Sequence, residues 1–169
     1  MSESNGITIE QAVPRSIAGI SSFRDRAGLL AALEAEFGVA VPTAPRAVEA
    51  AGVTLSCLAS NRFLANADRD ANLPGRLIKS LAGRAAVTDQ SDFWITYIIS
   101  GQSVRDILSR IVPIDLDSSK FGIGDLALTR GGHLDVRIWR VGKQTYELAA
   151  GRSYMQDLLH ALESAVHGA

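Results

Sequence analysis

Only one cysteine, Cys57, stands in 169 residues, so no internal disulfide can form and packing alone must hold the fold. Charge of one sign is equally lacking. Seventeen Lys and Arg against 18 Asp and Glu leave a formal net charge of -1, with no basic field to draw in nucleic acid or an anionic membrane surface. Aromatic residues are scarce at 6%, which argues against a platform for stacking bases. No stretch approaches the roughly 20 apolar residues of a membrane span, and Met1–Gly6 has neither the basic start nor the apolar run of a signal peptide. These absences predict a soluble cytoplasmic protein. What is present in quantity is hydrophobic sequence, 47% of positions, enough for one well-buried core, in which Cys57 beside Val53, Leu55 and Leu58 acts as a small hydrophobe.

Residues 1–20 carry scattered isoleucines (Ile7, Ile9, Ile17, Ile20) with Val13 and Pro14 among them, and read as an extended N-terminal arm that docks on a partner. Residues 21–169 read as a single domain. Leu29, Leu30, Leu33 and Phe37 form one helical stripe, predicting a helix over Arg24–Phe37 with Ser21 or Ser22 as N-cap and Gly38 as the stop. A linker is expected over Val41–Arg46. The alternation in Val53–Cys57 predicts a strand, paired with a second over Arg62–Asn66. Leu73, Leu77, Ile78 and Leu81 predict a helix over Leu73–Ala82, with Pro74 in its first turn.

Strands are expected at Ala85–Thr88 and Phe93–Ser100, flanking the acidic turn Asp89–Asp92, and the second, apolar on both faces, is expected to be central. Ser103 opens a short helix that Pro113 stops. Three further strands are predicted, Asp125–Arg130, His133–Val141 and Thr145–Ala150, joined by tight turns at Gly131-Gly132 and Gly142-Lys143. Ser153 and Gln156 have capping-box spacing before a final helix bearing Met155, Leu158, Leu159, Leu162 and Val166. The fold class is therefore α+β, with helices packed on a mainly antiparallel sheet.

Chemistry is hard to place on this chain. His133, His160 and His167 are too far apart to share one helical turn as metal ligands, so each is expected to be structural or solvated. Ser91 lies between Asp89 and Asp92 without a histidine or a nucleophile elbow nearby, and Ser and Asp are ordinary turn residues. The pairs Asp89/Asp92 and Asp115/Asp117 could divide acid and base roles, yet both sit where the chain turns. Gly122-Ile123-Gly124 lacks the third glycine of a dinucleotide loop and precedes a strand where such a loop needs a helix. Trp94, Trp139 and Tyr146 read as core or interface anchors. The expectation is no catalytic, no cofactor-binding and no metal-binding residue in this chain.

Six short segments occur in a telling order: Asp89-Gln90-Ser91-Asp92, Ser100-Gly101, Pro113-Ile114-Asp115-Leu116, Phe121-Gly122-Ile123-Gly124, Trp139-Arg140 and Arg152-Ser153-Tyr154. In order and spacing they resemble the gamma subunit family of heterotetrameric sarcosine oxidase, over roughly residues 50–166. Gln102 stands where that family often has proline, and Phe93-Trp94 replaces its commoner Gly-Arg. The resemblance implies a fold like the folate-binding domain of the glycine cleavage T-protein. It also implies a structural role beside alpha, beta and delta subunits that carry FAD, FMN, NAD, tetrahydrofolate and zinc, in a complex that demethylates sarcosine and passes the one-carbon unit to tetrahydrofolate. The small subunit of a related N-methyl amino acid dehydrogenase is an alternative. So is a stand-alone folate-binding, aminomethyltransferase-like protein, because Asn66-Ala67-Asp68 is similar to the folate-side turn of T-proteins.

Overall fold

The structure, a computed structural model, describes residues 2–4 and 6–168, with side chains described from residue 6 onward. The chain begins with β1 (Ser2–Ser4) and β2 (Ile7–Gln11), in which the two-residue spacing of Ile7 and Ile9 puts both on one buried face. It then builds a compact unit from residues 13–92. Residues 1–12 and 93–169 form a second unit.

Within the 13–92 unit the order is β3 (Arg15–Ser22), α1 (Arg26–Phe37), β4 (Arg46–Ala50), β5 (Val53–Ala59), β6 (Arg62–Asp68), a 3-10 turn at Arg69–Ala71, α2 (Leu73–Ser80) and β7 (Ala85–Asp89). Its strands pair antiparallel in the order β4-β5-β6-β3-β7. Leu29, Leu33 and Phe37 of α1 and Leu73 and Leu77 of α2 cover Ile20, Leu55 and Phe63 of the sheet. The β4–β5 loop is the two-residue pair Ala51-Gly52, both at positive φ (48° and 77°), whose twist suits a tight hairpin. Asp25 caps α1, its Oδ1 accepting the Gly28 N–H at 2.8 Å, and Gly38 ends the helix at φ 67°. At α2 the local Asn72 provides no side-chain cap, and the buried Ser16 Oγ of β3 accepts the Leu73 N–H at 3.0 Å instead.

The other unit adds β8 (Trp94–Gly101), α3 (Val104–Ser109), β9 (Leu126–Gly131), β10 (Leu134–Gly142), β11 (Thr145–Gly151), a 3-10 turn at Arg152–Tyr154 and α4 (Met155–His167) to β1 and β2. Its sheet is antiparallel throughout, in the order β1-β2-β8-β11-β10-β9. One face carries Ile7, Ile9, Ile95, Tyr97, Ile99, Val136, Ile138 and Leu148, and this face packs with Val104 and Leu108 of α3 and Leu158, Leu162 and Val166 of α4. Gly101 closes the β2–β8 ladder at φ 142°, where a Cβ would fall on the Gly6 carbonyl oxygen.

Helices on antiparallel sheets, with β8 central between β2 and β11, agree with the sequence reading, and several details do not. There are two sheets, and the strands on either side of the Asp89–Asp92 turn belong to different ones. The expected arm over residues 1–20 contains β2, inside one sheet, and most of β3, inside the other. The isoleucines looked sparse because they are divided between two strands, with residues 12–14 between them. The domain boundaries change with it, from one domain over 21–169 to two units that exchange the chain near residues 12 and 92. Strand β4 begins at Arg46, the last residue of the expected linker, and adds a strand where the sequence reading had none. Ser21 and Ser22 lie in β3, so Asp25 caps α1. Ser103 takes the N-cap position of α3 without a side-chain hydrogen bond, and Ser153 falls inside the 3-10 turn, leaving Tyr154 at the N-cap position of α4. The β9–β10 turn is centred on Gly132-His133, since Gly131 still pairs with Leu134.

Candidate functional site

Asp89 ends β7, and the backbone immediately folds over it. Its Oδ1 accepts both the Ser91 N–H (2.9 Å) and the Ser91 hydroxyl (2.6 Å), while the Ser91 Oγ accepts the Ile17 N–H at 2.9 Å. The Ser91 side-chain bond, then its backbone bond, holds the Asp89 carboxyl below the usual carboxylate value. Ser91 thus donates a hydrogen bond to a carboxylate and accepts one from a backbone N–H, as turn residues do. Arg69 closes the turn from outside, with Nη2 on Asp92 Oδ1 at 2.9 Å.

The second acidic pair repeats this chemistry. Asp115 Oδ1 accepts the Asp117 N–H, and Asp117 Oδ1 accepts both the Ser119 N–H and the Ser119 hydroxyl, so two consecutive side chains shape one loop. The Ser119 bonds, hydroxyl first, again hold the Asp117 carboxyl below the usual carboxylate value. Among the described residues no group of three or more His, Cys, Asp or Glu could hold a metal ion. His133 sits in the β9–β10 turn, His160 on an exposed position of α4, and His167 at its end, with Nδ1 2.7 Å from the Glu163 carbonyl. Burial pushes the Cys57 thiol up, against smaller opposing effects of Arg26 and the Ala59 carbonyl.

The more consequential group is one that sequence reasoning quoted only as part of a motif. Arg140 is 6% exposed, and its guanidinium donates to three carbonyls: Nη1 to Phe121 at 2.6 Å, Nη2 to Lys143 at 3.1 Å and Nε to Gly142 at 3.2 Å. It lies over the Tyr146 ring at 5.8 Å, and Tyr146 stacks on Phe121 at 6.5 Å. Asp125 completes the loop by accepting the Gly122 N–H at 2.7 Å. The separate Phe121–Gly124 and Trp139-Arg140 motifs therefore converge on one clamp. A signal was available, because Leu134, Val136 and Ile138 recur every second residue on the core face and the next position on that face is Arg140.

The remaining motif residues also meet. The Arg152 N–H donates to the Phe93 carbonyl at 2.7 Å, bringing the Arg152–Tyr154 turn against the start of β8. Phe93 meets Trp94 edge to face at 5.0 Å, and the Arg137 guanidinium lies over Trp94 at 5.0 Å. Trp139 and Tyr146 are buried, Trp94 is half-buried, and Phe93 and Tyr154 are exposed. Asn66 is buried in β6, with neither amide atom hydrogen-bonded among the described residues. No helix of the described residues is long and apolar enough to cross a membrane.

No protein-family model matches the chain. It is 28% identical over 139 residues to the sarcosine oxidase subunit gamma of Arthrobacter sp., covering 80% of this chain and 68% of that one. The corresponding subunit of Corynebacterium sp. (strain U-96) is 27% identical over 139 residues, with the same two coverages. Among solved structures, a chain of the heterotetrameric sarcosine oxidase from Corynebacterium sp. U-96, in complex with pyrrole 2-carboxylate, superposes with a TM-score of 0.88 at 23% identity, covering 99% of this chain and 87% of that one. The glycine cleavage system aminomethyltransferase T from Bartonella henselae matches with a TM-score of 0.70 at 15% identity, over 93% of this chain and 45% of that one. The chain thus resembles sarcosine oxidase gamma subunits in sequence over four fifths of its length, and shares its fold with a chain of heterotetrameric sarcosine oxidase and with part of aminomethyltransferase T.

Proposed function

We propose that this chain is the gamma subunit of a heterotetrameric sarcosine oxidase-type complex, in which it has an assembly role and no active site of its own. The observation that carries the reading is the sequence similarity to gamma subunits across four fifths of the chain. The use of its polar residues agrees with that role: Asp89, Ser91, Asp115, Asp117 and Arg140 are all bonded to the chain's own turns. On this reading alpha, beta and delta subunits hold FAD, FMN, NAD, tetrahydrofolate and zinc, and the complex works in the cytoplasm, demethylating sarcosine with transfer of the one-carbon unit to tetrahydrofolate.

The test is co-expression of the tagged chain with the large and small subunits of its own organism. The chain is expected to co-purify with a flavin-containing assembly that turns over sarcosine, and to be colourless and inactive when purified alone. A yellow isolated chain with stoichiometric flavin, or failure to co-purify with any large subunit, would overturn the reading. Turnover of another N-methylated amino acid in place of sarcosine would assign the complex to the dehydrogenase relatives.

A further inference from the structure

A small cleft in the unit formed by residues 1–12 and 93–169 lies between the segment that ends α3 and the β9–β10 turn. Its volume is about 290 Å³, and its walls include Arg110, Ile111, Val112, Pro113, Arg130 and Gly132. The Gly132 N–H donates to the Ile111 carbonyl at 3.3 Å, joining the two walls. Ile111, Val112 and Pro113 make one wall largely apolar, and Arg110 and Arg130 also line the cleft. Arg110 Nη1 donates to the Ala165 carbonyl at 3.2 Å and Arg130 Nη2 to the His133 carbonyl at 3.0 Å, so each group is held in place by one donor and keeps others for a ligand. Among the described residues no acidic side chain lines the cleft. Arg130 also pairs with Asp135 at 4.0 Å, but both side chains are so exposed (66% and 92%) that water screens the pair. By contrast, the larger groove along α2 has its arginine, Arg76, committed to Glu36 at 3.0 Å.

Building on the reading of this chain as a subunit, we infer that the Arg110–Arg130 cleft receives an acidic segment of a large partner subunit. The segment's acidic side chains would pair with Arg110 and Arg130 while a neighbouring apolar side chain rests on Ile111 and Pro113. The cleft's size suits one or two side chains, and two arginines beside an apolar wall match a carboxylate flanked by an aliphatic group. Fixed donors also lessen the ordering cost of binding.

The experiment compares the full-length chain with its Arg110→Glu/Arg130→Glu variant in binding to the co-expressed large subunits, at low and moderate salt. Charge reversal is expected to weaken assembly by about tenfold or more at low salt, and to remove most of the salt dependence seen with the unmodified chain. Equal affinity of the two proteins across the salt range would overturn the inference while leaving the subunit reading intact. Absence of binding by the unmodified chain would overturn both. Should the reversed variant melt at a lower temperature than the parent, Arg110→Gln/Arg130→Gln gives the same reading, and unchanged affinity with that variant rejects the cleft.

Discussion

A guanidinium that serves three carbonyls is a strong local determinant, and Arg140 is one. Lysine has a compact charge on a flexible stem and cannot reproduce the planar fork that reaches Phe121, Gly142 and Lys143 together. Arg140→Lys is therefore expected to cost about 2–4 kcal/mol, measured as a fall in the urea midpoint at unchanged slope. A midpoint within error of the parent would show that the clamp is not needed. Asp89 makes a different prediction, which depends on pH. Its folded-state pKa is lowered by the Ser91 bonds, so its stabilising contribution is complete above the unfolded value of about 3.9 and is lost as pH falls through the lower folded value. Asp89→Asn is accordingly expected to be less stable than the parent at pH 7, with the difference shrinking below about pH 4. Melts at pH 7 and pH 3 that keep the same gap would refute this.

At the scale of elements, the N-terminal strands change the meaning of a truncation. Had residues 1–20 been an arm, deleting them would leave a folded domain. In the structure β3 lies between β6 and β7 and carries the buried Ile17, Ala18 and Ile20, while β2 pairs with β8 and contributes Ile7 and Ile9 to the other core. Deletion of residues 2–20 is expected to abolish cooperative unfolding, as read by circular dichroism on heating; a sharp transition near that of the full chain would restore the arm. The elements that were legible from sequence share one property, a periodicity long enough to declare itself. The β9–β10–β11 meander alternates over three strands with glycines at the turns, and α1 and α4 show three or more apolar positions at helical spacing. Strand β4 was missed because Arg46–Ala50 follows two prolines and buries only Ala47. Caps were misplaced for a related reason. A serine at the right spacing is only one of several acceptors, and tertiary structure supplied Ser16 to α2 from a distant strand. The two carboxylate turns were legible because Asp-x-Ser encodes its own hydrogen bonds, whereas the cleft between Arg110 and Arg130 depends on segments brought together only by the fold.

For the molecule as a whole, what sequence could not convey was the distribution of neighbouring strands between two sheets, since a turn such as Asp89–Asp92 looks the same whether the chain reverses within a sheet or leaves it. The path of the chain has a consequence for its biosynthesis. The 13–92 unit is continuous, and every strand of its sheet has been made by the time β7 leaves the ribosome. Strand β2 is made earlier, yet its neighbour β8 is made only after that whole unit, so Ile7 and Ile9 must wait uncovered while the rest is translated. Closing that long loop is entropically modest if the intervening residues have already condensed, because folding them brings its two ends under tighter restraint. Until β8 emerges, the apolar β2 edge is open to pairing with those of other nascent chains.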